Sequence, residues 1–269
     1  IGAVHKAVEM GIVEGILVGD SKEINRVCVQ AKIDGDMFTI VDEPDEWDAA
    51  TRSVELINTG KGDLIMKGLV STDKYMKAIL DKEHGLMKPN AVLSHVTVID
   101  NPNYHKLMIV GDVAIIPAPE LKEKIAIANY LTFTARSLGI GRPKLAVIAA
   151  TEKVSPKMPA CVDAALLSKM AERGQLKDVD IDGPLALDVA IDKGSAEIKK
   201  LKSTVAGDAD CLLFPNIESG NVFYKANTKL AQCELAAVVA GAKVPAVLSS
   251  RGDSLNTKLY SIALGAMMA

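Results

Sequence analysis

No block of basic residues interrupts this sequence: 31 Lys and Arg are scattered among 34 Asp and Glu, for a formal charge of -3, which argues against nucleic acid as a ligand. No apolar run is long enough to span a bilayer, since the longest, at 16–19 and 262–269, fall far short of the roughly 20 residues a membrane helix needs. The four cysteines (Cys28, Cys161, Cys211, Cys233) show no CxxC spacing and three sit inside apolar patterns. Neither a zinc site nor a disulfide framework is expected, and a reducing cytoplasm is the simplest compartment. Internal repeats and low-complexity tracts are also missing. The sequence opens at Ile1, not at Met, directly in a helix-like pattern (Ala3, Ala7, Met10), as though a strand and part of a helix preceded it. A cleaved signal peptide would remove the Met too, but free, core-like cysteines argue against export.

What is present is an apolar inventory of 49% over 269 residues, enough for one large α/β unit or two modest domains. Short Val/Ile/Leu-rich runs recur: ILVGD near Ile16, DLIMKG near Asp63, KLAVIAAT near Lys144, DCLLFPN near Asp210 and PAVLSS near Pro245. Helical patterns between them predict parallel strands with covering helices. One helix is expected over 121–138, with Leu121, Ile125, Ala128, Leu131, Ala135 and Leu138 on one face. A second is expected from Asn221, carrying Val222, Ala226, Leu230, Cys233, Ala237 and Ala240. Residues 98–119 (VTVID, NPNYH, KLMIV, VAIIPAP) read instead as short β-type runs joined by turns, an antiparallel excursion. GIGRP at 139–143 is the expected crossing between domains. The fold class is therefore α/β, with domain I at 1–139 and 242–269, and domain II at 140–241.

In open parallel sheets, ligands collect beyond the carboxyl ends of strands, where helix N-termini present N–H groups to anions. Four turns qualify and are expected to converge on one cleft: LIMKGLVSTDKYMK, AVIAATEKVSPKM, LLFPNIESGNVFYK and VLSSRGDSLNTK. In the last, Arg251 follows an apolar strand and can grip a phosphate or an oxyanion with two parallel donors. The alternative is a surface turn capped by Asp253 or Ser254. In the third, Ser219, Gly220 and Asn221 open a helix, with Gly220 admitting a close ligand and Lys225 one turn inside; plain N-capping is the competing account. In the first, Gly68, Ser71 and Thr72 lead into a helix carrying Lys74 and Lys77, which reads either as an anion site or as a cap with exposed lysines. His5, His84, His95 and His105 form no Ser/His/Asp order or HExxH spacing, and most read as structural or surface residues. Cys161 and Cys233 read as core residues on helix faces, and Asp182 as a group that either orients a site residue or caps a helix.

Four blocks in this order, KGLVST at 67–72, VDIDGPLALDVA at 179–190, VAGDADCLLFPNIESGNVFYK at 205–225 and SRGDS at 250–254, resemble the phosphate acetyltransferase and phosphate butyryltransferase family over nearly the whole chain. The resemblance implies two α/β domains with parallel-sheet cores flanking a cleft, similar in fold to isocitrate and isopropylmalate dehydrogenases. It also implies reversible acyl transfer between coenzyme A and inorganic phosphate in a ternary complex, with acyl phosphate as product, coenzyme A as a substrate, no bound cofactor and no metal. Arg251 is similar to the family arginine that binds phosphate and the reacting carbonyl, and Ser250 to its hydrogen-bonding neighbour. The other anion-binding positions carried over are Ser71, Thr72, Lys77, Ser219, Gly220, Asn221 and Lys225. Where phosphate acetyltransferases place a general-base aspartate six residues beyond the arginine, this chain has Thr257; Asp253 is the substitute. An arginine of the first helix looks replaced by Lys77, which keeps the charge but not the bidentate fork. Both departures point to the butyryl branch. A homodimer is the family's common assembly. The competing functions are a noncatalytic acyl-CoA sensing module and, on the same fold, a metal- and nicotinamide-dependent dehydrogenase, for which no carboxylate cluster is visible.

Overall fold

The computed structural model describes residues 1–248 and 252–269, so Ser249, Ser250 and Arg251 lie outside the described residues. The chain forms two units, Ile1–Ala91 with Ala236–Ala269, and Val92–Leu235. The crossing expected at 139–143 falls inside the second unit. Gly139 adopts φ +89 and stops a helix, and the remaining residues are the short link from that helix to the next strand.

The first unit contains α1 (Gly2–Glu9), β1 (Gly15–Gly19), α2 (Ser21–Ala31), β2 (Phe38–Asp42), α3 (Glu46–Asn58), β3 (Ile65–Met66) and α4 (Thr72–Leu80). The second unit opens with β4 (Ser94–Asp100), β5 (Met108–Gly111), α5 (Leu121–Ser137), β6 (Lys144–Ile148) and α6 (Pro159–Glu172). It continues through β7 (Asp180–Leu185), α7 (Leu187–Ile191), α8 (Lys193–Lys199), β8 (Cys211–Leu213) and α9 (Ile217–Lys225). The chain then returns through β9 (Glu234–Ala240), β10 (Ala246–Val247) and α10 (Leu255–Met268).

In the first unit β1 and β2 form a parallel pair, while β10 is parallel to β3 and antiparallel to β9. The N-terminal helix packs on the C-terminal one, with Ala3 and Ala7 of α1 against Leu259 and Ile262 of α10. In the second unit the strand order is β4-β5-β8-β6-β7. All pairs are parallel except β4 with β5, so the antiparallel excursion is present. Its third run is not a strand: Asp112 Oδ1 accepts the N–H groups of Ala114 (2.7 Å) and Ile115 (2.9 Å) and curls the chain. The sheets are thus mixed rather than wholly parallel.

Alternation explains how this sheet is covered on both faces. Val110, Ala146 and Leu212 face one layer that includes Val189, Ala190 and Ala196 of α7 and α8. The intervening residues face α5, where Cys211 Sγ meets the Leu131 carbonyl at 3.7 Å. The long helix expected from Asn221 is shorter. Helix α9 ends at Lys225, a π turn covers Ala226–Leu230, Gln232 takes φ +52, and residues 234–240 are strand β9. The supposed apolar face is only partly buried: Val222 is 69% and Leu230 85% exposed, whereas Cys233 and Ala240 are buried. Short Ala/Val runs do not separate strand from helix by periodicity alone. Cys233 accordingly lies just before β9 rather than on a helix, although all four cysteines are free and buried. No helix among the described residues is long and apolar enough to cross a membrane.

The amino ends of β5, β6 and β8 are tied by charge. Lys106 Nζ lies 2.8 Å from both Asp208 and Asp210, Lys144 Nζ pairs with Asp208, and Asp210 Oδ2 accepts the Lys144 N–H at 2.7 Å. Partial burial pushes the Asp208 carboxyl up, but hydrogen bonds from Lys106, Lys144 and His105 outweigh it and hold the group well below the usual carboxylate range. A depressed folded value means the stabilisation is complete above the unfolded range, near pH 4, and is lost as pH falls through the folded value. Asp208→Asn should therefore cost about 1 kcal/mol at pH 7, a figure already reduced for solvent screening. The gap from the parent should narrow at pH 3, as urea unfolding at the two pH values would register.

Candidate active site

The carboxyl edge of each sheet delivers the turns that the sequence singles out. In the first unit Ile65 and Met66 of β3 lie opposite Ala246 and Val247 of β10, so the KGLVST turn and the turn after Val247 leave the same edge. They are tied there: Lys67 N donates to Val247 O at 3.0 Å, and the buried Tyr75 hydroxyl reaches the carbonyls of Ile65 (3.1 Å) and Val247 (3.4 Å). Burial pushes the Tyr75 phenol far up, so it stays a donor.

Ser71 is the N-cap of α4, its Oγ accepting from Lys74 N at 3.3 Å, with Thr72 as the first helical residue. Lys77 is exposed and paired with Asp73 at 2.9 Å. An acid already faces this helix start. Lys74 pairs with Glu46 at 3.1 Å, and the Lys74 ammonium, aided by the Ser71 N–H, holds the Glu46 carboxyl below its usual range. Lys67, which the sequence reading passed over, is only 7% exposed. Its ammonium donates to the carbonyls of Gly68 (3.1 Å) and Val70 (2.9 Å). Because N–H and C=O of a trans peptide unit point in opposite directions, the Leu69 and Ser71 N–H groups are turned away from Lys67, toward the other side of the loop. The only sequence signal was a lysine immediately after a strand.

Ser250 and Arg251 lie outside the described residues. Asp253 is partly buried, and the capping alternative resolves in favour of Ser254. Its Oγ accepts Thr257 N at 3.0 Å and lies 3.0 Å from Thr257 Oγ1, which also gives Thr257 its role.

In the second unit β6 and β8 run parallel with Val147 opposite Leu213, so their two turns also share an edge. Asn216 caps α9: its Oδ1 accepts the Ser219 N–H (3.0 Å) and hydroxyl (2.8 Å). The bare face of Gly220 is turned to protein backbone. A Cβ there would lie 2.3 Å from the Asp112 carbonyl oxygen, and its N–H donates to Asn216 O at 3.2 Å, so the missing side chain makes room for protein backbone. Asn221 Nδ2 donates to Val113 O at 3.0 Å. Ser219, Gly220 and Asn221 thus seat α9 on the turn at Asp112 and Val113, and Lys225 is exposed, its Nζ 5.3 Å from the Tyr224 ring centre. Asp182 neither caps α7 nor leaves its strand; its Oδ1 accepts the next residue's N–H, Gly183, at 2.8 Å.

Two further residues of this edge escaped the sequence reading. His95 is buried at 8% exposure, unlike His5, His84 and His105, which sit beside Glu9, Asp81 and Asp208. Glu152, in the turn after β6, pairs with Lys199 through Oε2 at 3.2 Å, while its buried Oε1 has no partner among the described residues. No group of three metal-binding side chains occurs among the described residues.

A family model described as phosphate acetyl/butaryl transferase matches residues 42–266. The chain is 45% identical to the phosphate butyryltransferase of Clostridium acetobutylicum over 267 residues, 99% of this chain and 88% of that protein. It is 39% identical to the phosphate acetyltransferase of Thermotoga maritima over 269 residues, 100% of this chain and 91% of that one. Among solved structures, a branched-chain phosphotransacylase from Enterococcus faecalis V583 superposes with a TM-score of 0.81 at 29% identity, covering 94% of this chain and 97% of that one.

The seating of α9 is open to test. Gly220→Ala should lower stability by about 1–3 kcal/mol through overpacking against Asp112, measured by urea unfolding. Unchanged stability would mean that the helix start shifts freely.

Proposed function

Because the chain belongs to the phosphate acetyl/butaryl transferase family and is thereby a phosphate acyltransferase, we propose that it transfers a short-chain acyl group, butyryl in preference to acetyl, reversibly between coenzyme A and inorganic phosphate. The observation that carries the reading is the pair of capped helix starts, Ser71 on α4 and Asn216 on α9, each following directly on a sheet's carboxyl edge. Such starts bind anions through backbone N–H groups and the helix dipole, and the substrates are phosphates.

Phosphate attacks the thioester carbonyl directly in a ternary complex, which asks for orientation and positive charge rather than an enzyme nucleophile. The inventory agrees: the cysteines are buried, and burial pushes the Cys211 and Cys233 thiols up, away from reactivity. Arg251 holds phosphate and the developing oxyanion, Ser250 adds a hydrogen bond, and Asp253 is the general base that manages the proton of the coenzyme A thiol. Ser71 and Thr72 serve the phosphate groups through the start of α4, with Lys77 as a nearby charge. Lys225 is the exposed cation of α9, while Ser219 and Asn221 act by fixing that helix. Likeness in fold to isocitrate and isopropylmalate dehydrogenases, a homodimeric assembly and a reducing cytoplasmic setting, which suits four free cysteines, belong to the same proposal.

Coenzyme A release, followed with a thiol reagent, should depend on phosphate and be faster from butyryl-CoA than from acetyl-CoA. Arg251→Ala should lower it by at least about 100-fold, the size of a lost oxyanion donor. Thioester binding without release by the folded parent protein would overturn catalysis in favour of an acyl-CoA sensor.

A further inference from the structure

Moving an acyl group from sulfur to phosphate sets an apolar tail directly beside an anion, because in the acyl phosphate the two are joined through one carbonyl carbon. A site that tells butyryl from acetyl therefore needs an apolar wall next to its phosphate-binding groups. In the first unit those groups are at the carboxyl edge shared by β3 and β10, where the KGLVST turn opens α4.

Among the described residues there, the large apolar side chains beyond the strands are Leu69, Val70, Leu248 and Leu255. Val70 and Leu248 are partly buried. Leu255, the first residue of α10, is 49% exposed but leans toward α1, since a Cβ on Gly2 would lie 3.8 Å from its Cδ1. Leu69 is 76% exposed and stands two residues before Ser71, the N-cap of α4.

Single exposed leucines are ordinary on protein surfaces; the backbone beneath this one sets it apart. The Lys67 ammonium donates to the carbonyls on either side of it, Gly68 O at 3.1 Å and Val70 O at 2.9 Å. Lys67 N is fastened to Val247 O at 3.0 Å, and Ser71 Oγ accepts Lys74 N at 3.3 Å. The loop is thus held at both ends and from one side, with Leu69 at its crest. A Cβ added to the neighbouring Gly68 would meet nothing within 4 Å, so space is open beside the crest. An apolar side chain on a backbone already fixed asks for little further ordering when a ligand packs on it.

We propose that Leu69 is the specificity-determining residue for the acyl chain: its side chain packs against the carbons that butyryl has and acetyl lacks, while phosphate lies on the start of α4. The assignment rests on the acyl-transfer reading above. One methylene enclosed in an apolar pocket is worth about 10-fold or more in kcat/KM. A wall on one side of the chain captures the lower part of that range.

The test compares kcat/KM for butyryl-CoA and acetyl-CoA at saturating phosphate, on the full chain, for the parent, Leu69→Ala, Leu69→Asn, Leu69→Met and Leu255→Ala. Leu69→Ala and Leu69→Asn should each lower the butyryl-to-acetyl ratio by about 10-fold, with acetyl-CoA turnover within about 3-fold of the parent. Leu69→Met, apolar and near in volume, should keep the ratio within about 3-fold, and Leu255→Ala should keep it there too. Substitutions at so exposed a position should leave the thermal midpoint close to the parent's. An unchanged ratio in Leu69→Ala and Leu69→Asn overturns the assignment. So does a loss equal for both thioesters, or a shift in Leu255→Ala as large as in Leu69→Ala. Those outcomes leave the acyl-transfer reading standing. A parent protein without phosphate-dependent thiol release from either thioester would sink that reading and the assignment with it.

Discussion

A single buried carboxylate organises one end of the second unit. Asp112 is 2% exposed, and an ionised carboxylate at that depth persists only where its oxygens are matched. Each oxygen takes two donors. Ser94 Oγ and His95 N–H meet Oδ2, and the N–H groups of Ala114 and Ile115 meet Oδ1. The two sets come from different segments, the start of β4 and the turn after β5, so one charge fixes their relation. The same turn then offers the Asp112 carbonyl to the bare face of Gly220 and the Val113 carbonyl to Asn221. The position of α9, the orientation of its N-terminus and the setting of His95 all follow from satisfying that one group.

Charge is distributed differently at the two ends of this sheet. At the amino ends, Lys106, Lys144, Asp208 and Asp210 neutralise one another and lock β5, β6 and β8 in register. Neither lysine of this cluster is open to an anion, because each already faces carboxylates a few ångströms away. At the carboxyl end stand backbone N–H groups, the donor-saturated Asp112, His95 and the Glu152–Lys199 pair. In a parallel sheet the strands end and the helices begin at this side, so it is also where partial positive charge gathers. The mutual neutralisation at one end and the anion-ready groups at the other are complementary consequences of the same strand direction.

Much of the architecture was legible because period and punctuation agreed. The runs near Ile16, Lys144 and Asp210 became β1, β6 and β8, and the turn signals at 98–119 marked the antiparallel pair β4 and β5. Legibility failed where local pattern was degenerate. Residues 234–240, ELAAVVA, fit a helix face or a buried strand equally well on composition, and a π turn over Ala226–Leu230 followed by the left-handed Gln232 separates the strand from α9. Gly139 was read as a linker because glycine marks both linkers and helix stops. At the site the cap at Ser71 was visible, but the helix start expected at Ser219–Asn221 is capped earlier, by Asn216, and the partners of Gly220, His95 and Lys67 were not visible. Each of those depends on a carbonyl or carboxylate distant in sequence or on how a loop folds back on itself. A lone histidine or a lysine after a strand carries no local sign of burial.

Direct transfer to phosphate places its demands on geometry rather than on a reactive side chain. In the proposed direct transfer, without a covalent enzyme intermediate, the protein has to orient two anionic substrates, offset their repulsion and manage one proton. Fixed dipoles suit that task, since they stabilise developing negative charge without reorganising at the moment of reaction. The chain is built accordingly: Lys67 gathers the carbonyls of Gly68 and Val70, and Asp112 gathers N–H and O–H donors around the seat of α9. Both are buried ions whose role is to orient backbone. A substitution that removed either charge would leave the site's named residues in the sequence but release the main chain that aims them, so loss of activity with retained composition is the characteristic failure of such a design.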